Sequence, residues 1–135
     1  MDNSIVSAQL IAVFGVTGLH TLSALVCVML IVGVLVRRRR NIHVPLMISA
    51  IVIDVTIVLI IEFSRGALQQ AQAKMGPLMI VHIALSVAVL VGYGIQITTG
   101  IKKLRNRPTR THAAVMPLLL AVRLGNFITS LMVMN

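Results

Sequence analysis

Residues 77–101 read PLMIVHIALSVAVLVGYGIQITTGI, an apolar stretch that follows Gly76 and leads directly into Lys102 and Lys103. Roughly 20 helical residues cross the hydrocarbon core of a bilayer, so this stretch is long enough to span it. Pro77 suits the first position of a helix, where its missing N–H costs little. The stretch therefore predicts a transmembrane helix that begins at Pro77 and ends at a basic loop.

Three further apolar stretches of similar length occur at residues 7–36, 44–63 and 113–134. Of the 135 residues, 58% are apolar and 11% are charged, whereas about a quarter of a soluble domain is charged. Soluble enzyme folds are therefore excluded. The first stretch is too long for a signal peptide and is expected to be retained, and Pro45 is predicted to open the second span. The sequence predicts an all-α integral membrane four-helix bundle, a single domain over residues 1–135 with up-down-up-down topology.

Basic residues concentrate in two predicted loops. They are Arg37, Arg38, Arg39, Arg40, Lys102, Lys103, Arg105, Arg107 and Arg110. The positive-inside rule places both loops in the cytoplasm, and hence both termini in the periplasm. Neither cluster carries interleaved aromatic side chains that could stack on bases, so the net charge of +9 indicates membrane topology and not nucleic-acid binding.

The four histidines recur in an internal two-helix repeat. Each half has a histidine in the outer part of one span, a second histidine after the basic loop, and a methionine four residues later. The corresponding residues are His20, His43 and Met47 in the first half and His82, His112 and Met116 in the second. Eleven residues beyond the inner histidines lie Asp54 and Arg123. The two intramembrane charges are therefore at equivalent positions.

The rise per residue of an α-helix gives the expected depth of each histidine in the membrane. At 1.5 Å per residue, His20 and His82 lie roughly 24 and 28 Å above the cytoplasmic ends of their spans. His43 and His112 begin their helices at the cytoplasmic edge. We therefore expect His20 to pair with His82 toward the outside and His43 with His112 toward the inside, as two separate sites.

The histidine pairs are candidate cofactor ligands. Two imidazoles on facing helices at one level can hold a haem iron, and an ionisable residue inside an apolar span indicates function because its burial is expensive. The inner pair adds the thioethers of Met47 and Met116 on the same helix faces, a set that suits copper(I). We expect haem b, with copper as the alternative. Histidines that only hydrogen-bond between helices remain the structural alternative.

Asp54 and Arg123 lie near the expected bilayer midplane, roughly 16 Å beyond the inner histidines. Each of them alone in hydrocarbon would cost several kcal/mol, so an intramembrane ion pair between the second and fourth spans is expected. Alternative roles are Arg123 as the partner of a haem propionate and Asp54 as a proton relay.

Five segments give the chain a resemblance to a known family. They are HVPLM at 43–47, ID at 53–54, IEFSRGA at 61–67, VHI at 81–83 and TH at 111–112. In them the chain resembles a family of small four-helix bacterial membrane proteins of unknown biochemical activity, which includes an assembly factor for haem-copper terminal oxidases of bacilli. In architecture it also resembles transmembrane b-type cytochromes, which place paired histidines at two depths of a four-helix bundle.

These resemblances imply a multi-pass protein of the bacterial inner membrane that binds haem b or copper through paired histidines. It would act in respiratory oxidase assembly or transmembrane electron transfer. The expected partners are the lipid bilayer, a respiratory oxidase or quinone, and a second copy of the chain. No Ser-His-Asp set or phosphate-binding glycine loop is present, so independent catalysis is not expected. The alternatives are an accessory subunit without a prosthetic group and a small transporter that uses Asp54, Glu62 and Arg123.

Overall fold

The computed structural model describes the backbone of residues 3–65 and 76–133, and the side chains of residues 15, 17–60 and 76–133. Glu62 of the transporter alternative lies outside the described side chains. Within the described ranges the regular elements are α1 (Asn3–Leu35), α2 (Arg40–Arg65), α3 (Pro77–Leu104) and α4 (Thr111–Val133). Each contains a segment long and apolar enough to cross a membrane. The predicted all-α bundle of a multi-pass membrane protein is thereby confirmed.

The start of α3 matches the prediction and the start of α2 does not. Gly76 is the extended N-cap of α3, and Pro77 occupies the first turn. In α2, however, the Arg39 carbonyl accepts hydrogen bonds from the backbone N–H of Ile42 and of His43, at 3.0 and 2.9 Å. The helix therefore begins at Arg40 and contains Pro45. The prediction that Pro45 opens this span is wrong, because a helical turn already forms before it.

The end of α3 is set by a Schellman motif. The backbone N–H of Arg107 donates to the Lys102 carbonyl, and that of Asn106 donates to the Lys103 carbonyl, at 3.0 and 3.1 Å. Asn106 has a φ of 56°, a left-handed conformation that asparagine tolerates better than most residues. The last carbonyls of the helix are thus satisfied where the chain turns toward α4.

The helices pack in the order α2, α1, α4, α3 around the bundle. Contacts are closest between α3 and α4, followed by α1 with α2 and α1 with α4. The core between them is aliphatic, and its fully buried side chains include Val26 and Leu30 of α1. Helices α2 and α3 pack less closely. The bundle is therefore an arc of three tight helix contacts with a looser fourth side.

The two basic loops lie at one end of this arc. The Arg40 guanidinium donates to the carbonyl oxygen of Leu104 over 2.9 Å, which joins the start of α2 to the end of α3. The outward faces of the helices are aliphatic, with Leu35 77% and Leu118 64% exposed. Such faces suit hydrocarbon, so the bundle is built for contact with the lipid bilayer.

Candidate functional site

The middle of the bundle holds a charged network contributed by all four helices. The Nε and Nη2 atoms of Arg123 donate to the two carboxylate oxygens of Asp54, at 2.8 and 2.6 Å. Nη2 also donates to the Ser23 hydroxyl at 2.7 Å. The Tyr93 hydroxyl donates to Asp54 Oδ2 at 2.5 Å. The two equivalent charges of the repeat thus meet as a bidentate ion pair.

This network is deeply buried. Asp54 is 5% exposed, and Arg123 and Tyr93 are each 3% exposed. A carboxylate and a guanidinium in hydrocarbon are tolerated only when paired and hydrogen-bonded. Here Asp54 accepts three hydrogen bonds, so its charge is well compensated. With Nε and Nη2 of Arg123 engaged, the network ties together α1, α2, α3 and α4.

A cavity of about 230 Å³ lies on the outer side of the network. Its polar lining comes from all four helices: His20, Ser23, Asp54, His82, Ser86, Tyr93, Arg123, Asn126 and Ser130. His20 and His82 therefore face one common space, and the ion pair forms its inner end. The pairing by depth that the repeat predicts agrees with this placement. The role of the outer pair as ligands stays a prediction.

The ring of His82 is fixed through Nδ1. The Thr129 hydroxyl lies 2.9 Å from Nδ1 and donates its own proton to the Asn126 carbonyl at 3.0 Å. When that proton lies on the Asn126 carbonyl, the hydroxyl oxygen accepts and Nδ1 of His82 donates. In a neutral imidazole this leaves Nε2 as a hydrogen-bond acceptor or ligand atom.

The size of the cavity bears on the haem prediction. Cofactor and drug-sized sites occupy roughly 300 to 1,000 Å³, and 230 Å³ corresponds to roughly eight water molecules at their liquid volume. As arranged here, the outer cavity does not accommodate a macrocycle between His20 and His82. It suits a smaller occupant.

The inner histidines lie together at the basic-loop end of the bundle, near the starts of α2 and α4. The ring centroids of His43 and His112 are 6.3 Å apart, and the rings are nearly perpendicular at 88°. The spacing predicted from the repeat is thus realised as direct proximity.

Both inner rings are also held through Nδ1. His43 Nδ1 lies 2.7 Å from the Gly33 carbonyl, which can only accept. His112 Nδ1 lies 3.1 Å from the Thr99 hydroxyl, whose proton is donated to the Ile95 carbonyl at 2.7 Å. Nδ1 is therefore the donor in His43, and it is also the donor in His112 when the Thr99 proton lies on the Ile95 carbonyl. A neutral ring with its proton on Nδ1 keeps a lone pair on Nε2.

The methionines of the predicted copper set pack at this level. Met116 is buried in the core, and Met47 packs against the same cluster. The Met47 sulfur also lies against Gly33 so closely that a β-carbon at that position would collide with it. Gly33 thus contacts both His43 and Met47. No group of three or more His, Cys, Asp or Glu side chains suited to a metal occurs among the described residues.

Sequence reasoning missed the residues that hold these side chains. Tyr93 is the only tyrosine of the chain, and a hydroxyl in an apolar span needs a hydrogen-bond partner. A polar contact of Tyr93 inside the bundle could therefore have been predicted. Ser23, Thr99 and Thr129 gave no such signal, because serine and threonine in membrane helices usually bond within their own helix.

No protein-family model, curated protein or solved structure matches the chain. Its function is therefore inferred from the geometry of the outer cavity and of the inner histidine pair.

Proposed function

We propose that this chain is a bacterial inner-membrane protein that binds one copper(I) ion between His43 and His112 and acts in the assembly of a respiratory oxidase. The observation that carries the proposal is the pair of inner imidazoles, whose ring centroids lie 6.3 Å apart and which are both held through Nδ1. The expectation of oxidase assembly rests on the resemblance of the histidine pattern to the four-helix family.

The geometry of the pair supports a shared ion. Metal–nitrogen bonds of about 2 Å, extended by the half-width of each ring, separate two centroids by about 6 Å when the ligands lie on opposite sides of the metal. The observed separation is 6.3 Å. In established sites the second ring nitrogen of a ligating histidine donates to a carbonyl or another oxygen, which is the arrangement of His43 and His112.

The donor set favours copper(I) over other ions. Structural zinc sites use four ligands, and calcium or magnesium requires oxygen ligands. Here each imidazole is followed four residues later on its own helix by a methionine, and no third His, Cys, Asp or Glu joins the pair among the described residues. Copper(I) is satisfied by few and soft ligands. Met47 and Met116 are the side chains that can complete its coordination.

Metal analysis and an absorption spectrum test this proposal on one sample. We expect protein purified in detergent, after expression with added copper and haem, to carry one copper per chain under reducing conditions. A preparation with neither copper nor haem would overturn the proposal and favour an accessory subunit. A sharp Soret band with split visible bands would instead establish the predicted haem b.

The proposed orientation places both termini in the periplasm. The two basic loops meet at one end of the bundle, where Arg40 contacts Leu104, so the positive-inside rule assigns that end to the cytoplasm. We expect a C-terminal alkaline phosphatase fusion to be active and a C-terminal fluorescent protein fusion to stay dark. The reverse pattern would place the copper site on the periplasmic side and contradict this assignment.

A further inference from the structure

We propose that the outer cavity binds the headgroup of a lipid-soluble quinol, which reaches it sideways from the bilayer between α2 and α3. The inference does not depend on copper at the inner histidines. It rests on the opening, the size and the hydrogen-bonding character of the cavity.

The cavity opens on the loosely packed side of the bundle. The repeat would allow α2 to contact α3 as α1 contacts α4, but only the latter pair packs closely. Val58 of α2 and Leu90 of α3 both line the cavity, and each is 43% exposed. Closer to the cytoplasm, Ile51 and Val55 pack against the cluster that contains Tyr93. The gap is therefore confined to the outer half of the bundle, where it faces lipid.

The lining suits a ring with polar ends. Aliphatic walls are formed by Leu19, Ile57, Val58, Val89, Leu90 and Val133. Hydrogen-bonding groups lie at the Asp54–Arg123 end and around His82. A volume of about 230 Å³ holds a single substituted aromatic ring, while an isoprenoid tail would lie in the gap between α2 and α3. A water-soluble ligand would gain nothing from an opening toward hydrocarbon.

The tautomer of His82 distinguishes quinol from quinone. In the tautomer that donates from Nδ1 to Thr129, Nε2 is an acceptor. A quinol hydroxyl is a donor and matches this atom, whereas a quinone carbonyl would place two acceptors against each other. The Ser86 hydroxyl is also occupied, since it lies 2.9 Å from Asn126 Oδ1 and from the His82 carbonyl. His82 is therefore the residue that recognises the reduced headgroup.

Equilibrium binding of decylubiquinol, a short-tailed quinol, tests the proposal with the full chain in lipid nanodiscs under anaerobic conditions. We expect saturable binding of one quinol per chain, with at least tenfold weaker binding of the oxidised form. His82→Ala should weaken quinol binding about tenfold, which is the equivalent of one hydrogen bond. Ser130→Phe should also weaken it, because this side chain lines the cavity and bonds only within its own helix.

Matched variants separate the cavity from the rest of the protein. Thr129→Val removes the acceptor that orients His82 and should reduce the preference for quinol. Thr98→Val makes the same change at an exposed threonine that bonds only to its own helix and should leave binding unchanged. His43→Ala should also leave it unchanged, which distinguishes this site from the proposed copper site. The absence of saturable quinol binding would overturn the inference, as would equal affinity for quinone or wild-type affinity in both His82→Ala and Ser130→Phe.

Discussion

Replacement of Arg123 by alanine is expected to lower the free energy of unfolding by roughly 3 to 5 kcal/mol, because it leaves the Asp54 carboxylate buried without its counter-ion. Asp54 is 5% exposed and accepts two hydrogen bonds from the guanidinium, so no solvent can replace the lost partner. Far-UV circular dichroism during denaturant unfolding in detergent would measure the effect.

The double variant Asp54→Ala with Arg123→Ala should be more stable than Arg123→Ala alone. Removal of both partners leaves neither charge stranded, although the Tyr93 hydroxyl then lacks its acceptor. Adding Tyr93→Phe should recover part of the remaining loss, since an unsatisfied buried hydroxyl costs about 1 to 3 kcal/mol.

Arg110→Ala provides the control, because Arg110 is an exposed arginine of the basic loop. We expect it to change stability by less than about 0.5 kcal/mol. If the losses from Asp54→Ala and Arg123→Ala simply added up, the two residues would not be energetically coupled, and the central role of the ion pair would be refuted.

Loss of copper is the second large effect expected. His43→Ala and His112→Ala should each abolish copper(I) binding, because each removes one of only two imidazoles at the inner level. His20→Ala and His82→Ala should retain the full copper content, since their side chains line the outer cavity. Competition with a chromophoric copper(I) chelator would measure the affinities.

A second pair of variants tests the hydrogen bond between His112 Nδ1 and the Thr99 hydroxyl. Thr99→Val removes the acceptor of His112 Nδ1 and should lower copper affinity about 10- to 100-fold, the usual cost of losing such a partner. The adjacent Thr98→Val alters an exposed residue of the same helix and should have no effect. Copper binding that survives in both inner histidine variants would contradict the site. If His20→Ala and His43→Ala each abolished binding, the two levels would be coupled.

The positions of the membrane spans and the relative depth of the polar residues follow from local properties of the chain. The length of an apolar run decides whether it spans a bilayer, and helical rise converts residue spacing into depth. The level of His20 with His82, the level of His43 with His112, and the shared depth of Asp54 and Arg123 could therefore be predicted without knowledge of the packing. The start of α2 was harder to predict than these depths, because Pro45 is compatible with a helix that begins about one turn earlier.

Only the tertiary structure decided which side chains meet across the helices. In a membrane bundle nearly every helix face is apolar, so hydrophobic periodicity does not define how a helix is rotated or which neighbour it contacts. The close packing of side chains determines how each helix is rotated and which neighbour it contacts. It brings Tyr93 to Asp54, Ser23 to Arg123 and Thr99 to His112, and it leaves the outer half of α2 loosely packed against α3. The histidines could therefore be identified from the sequence, while the hydrogen bonds that hold their rings, and the opening beside the outer pair, depend on contacts between different helices.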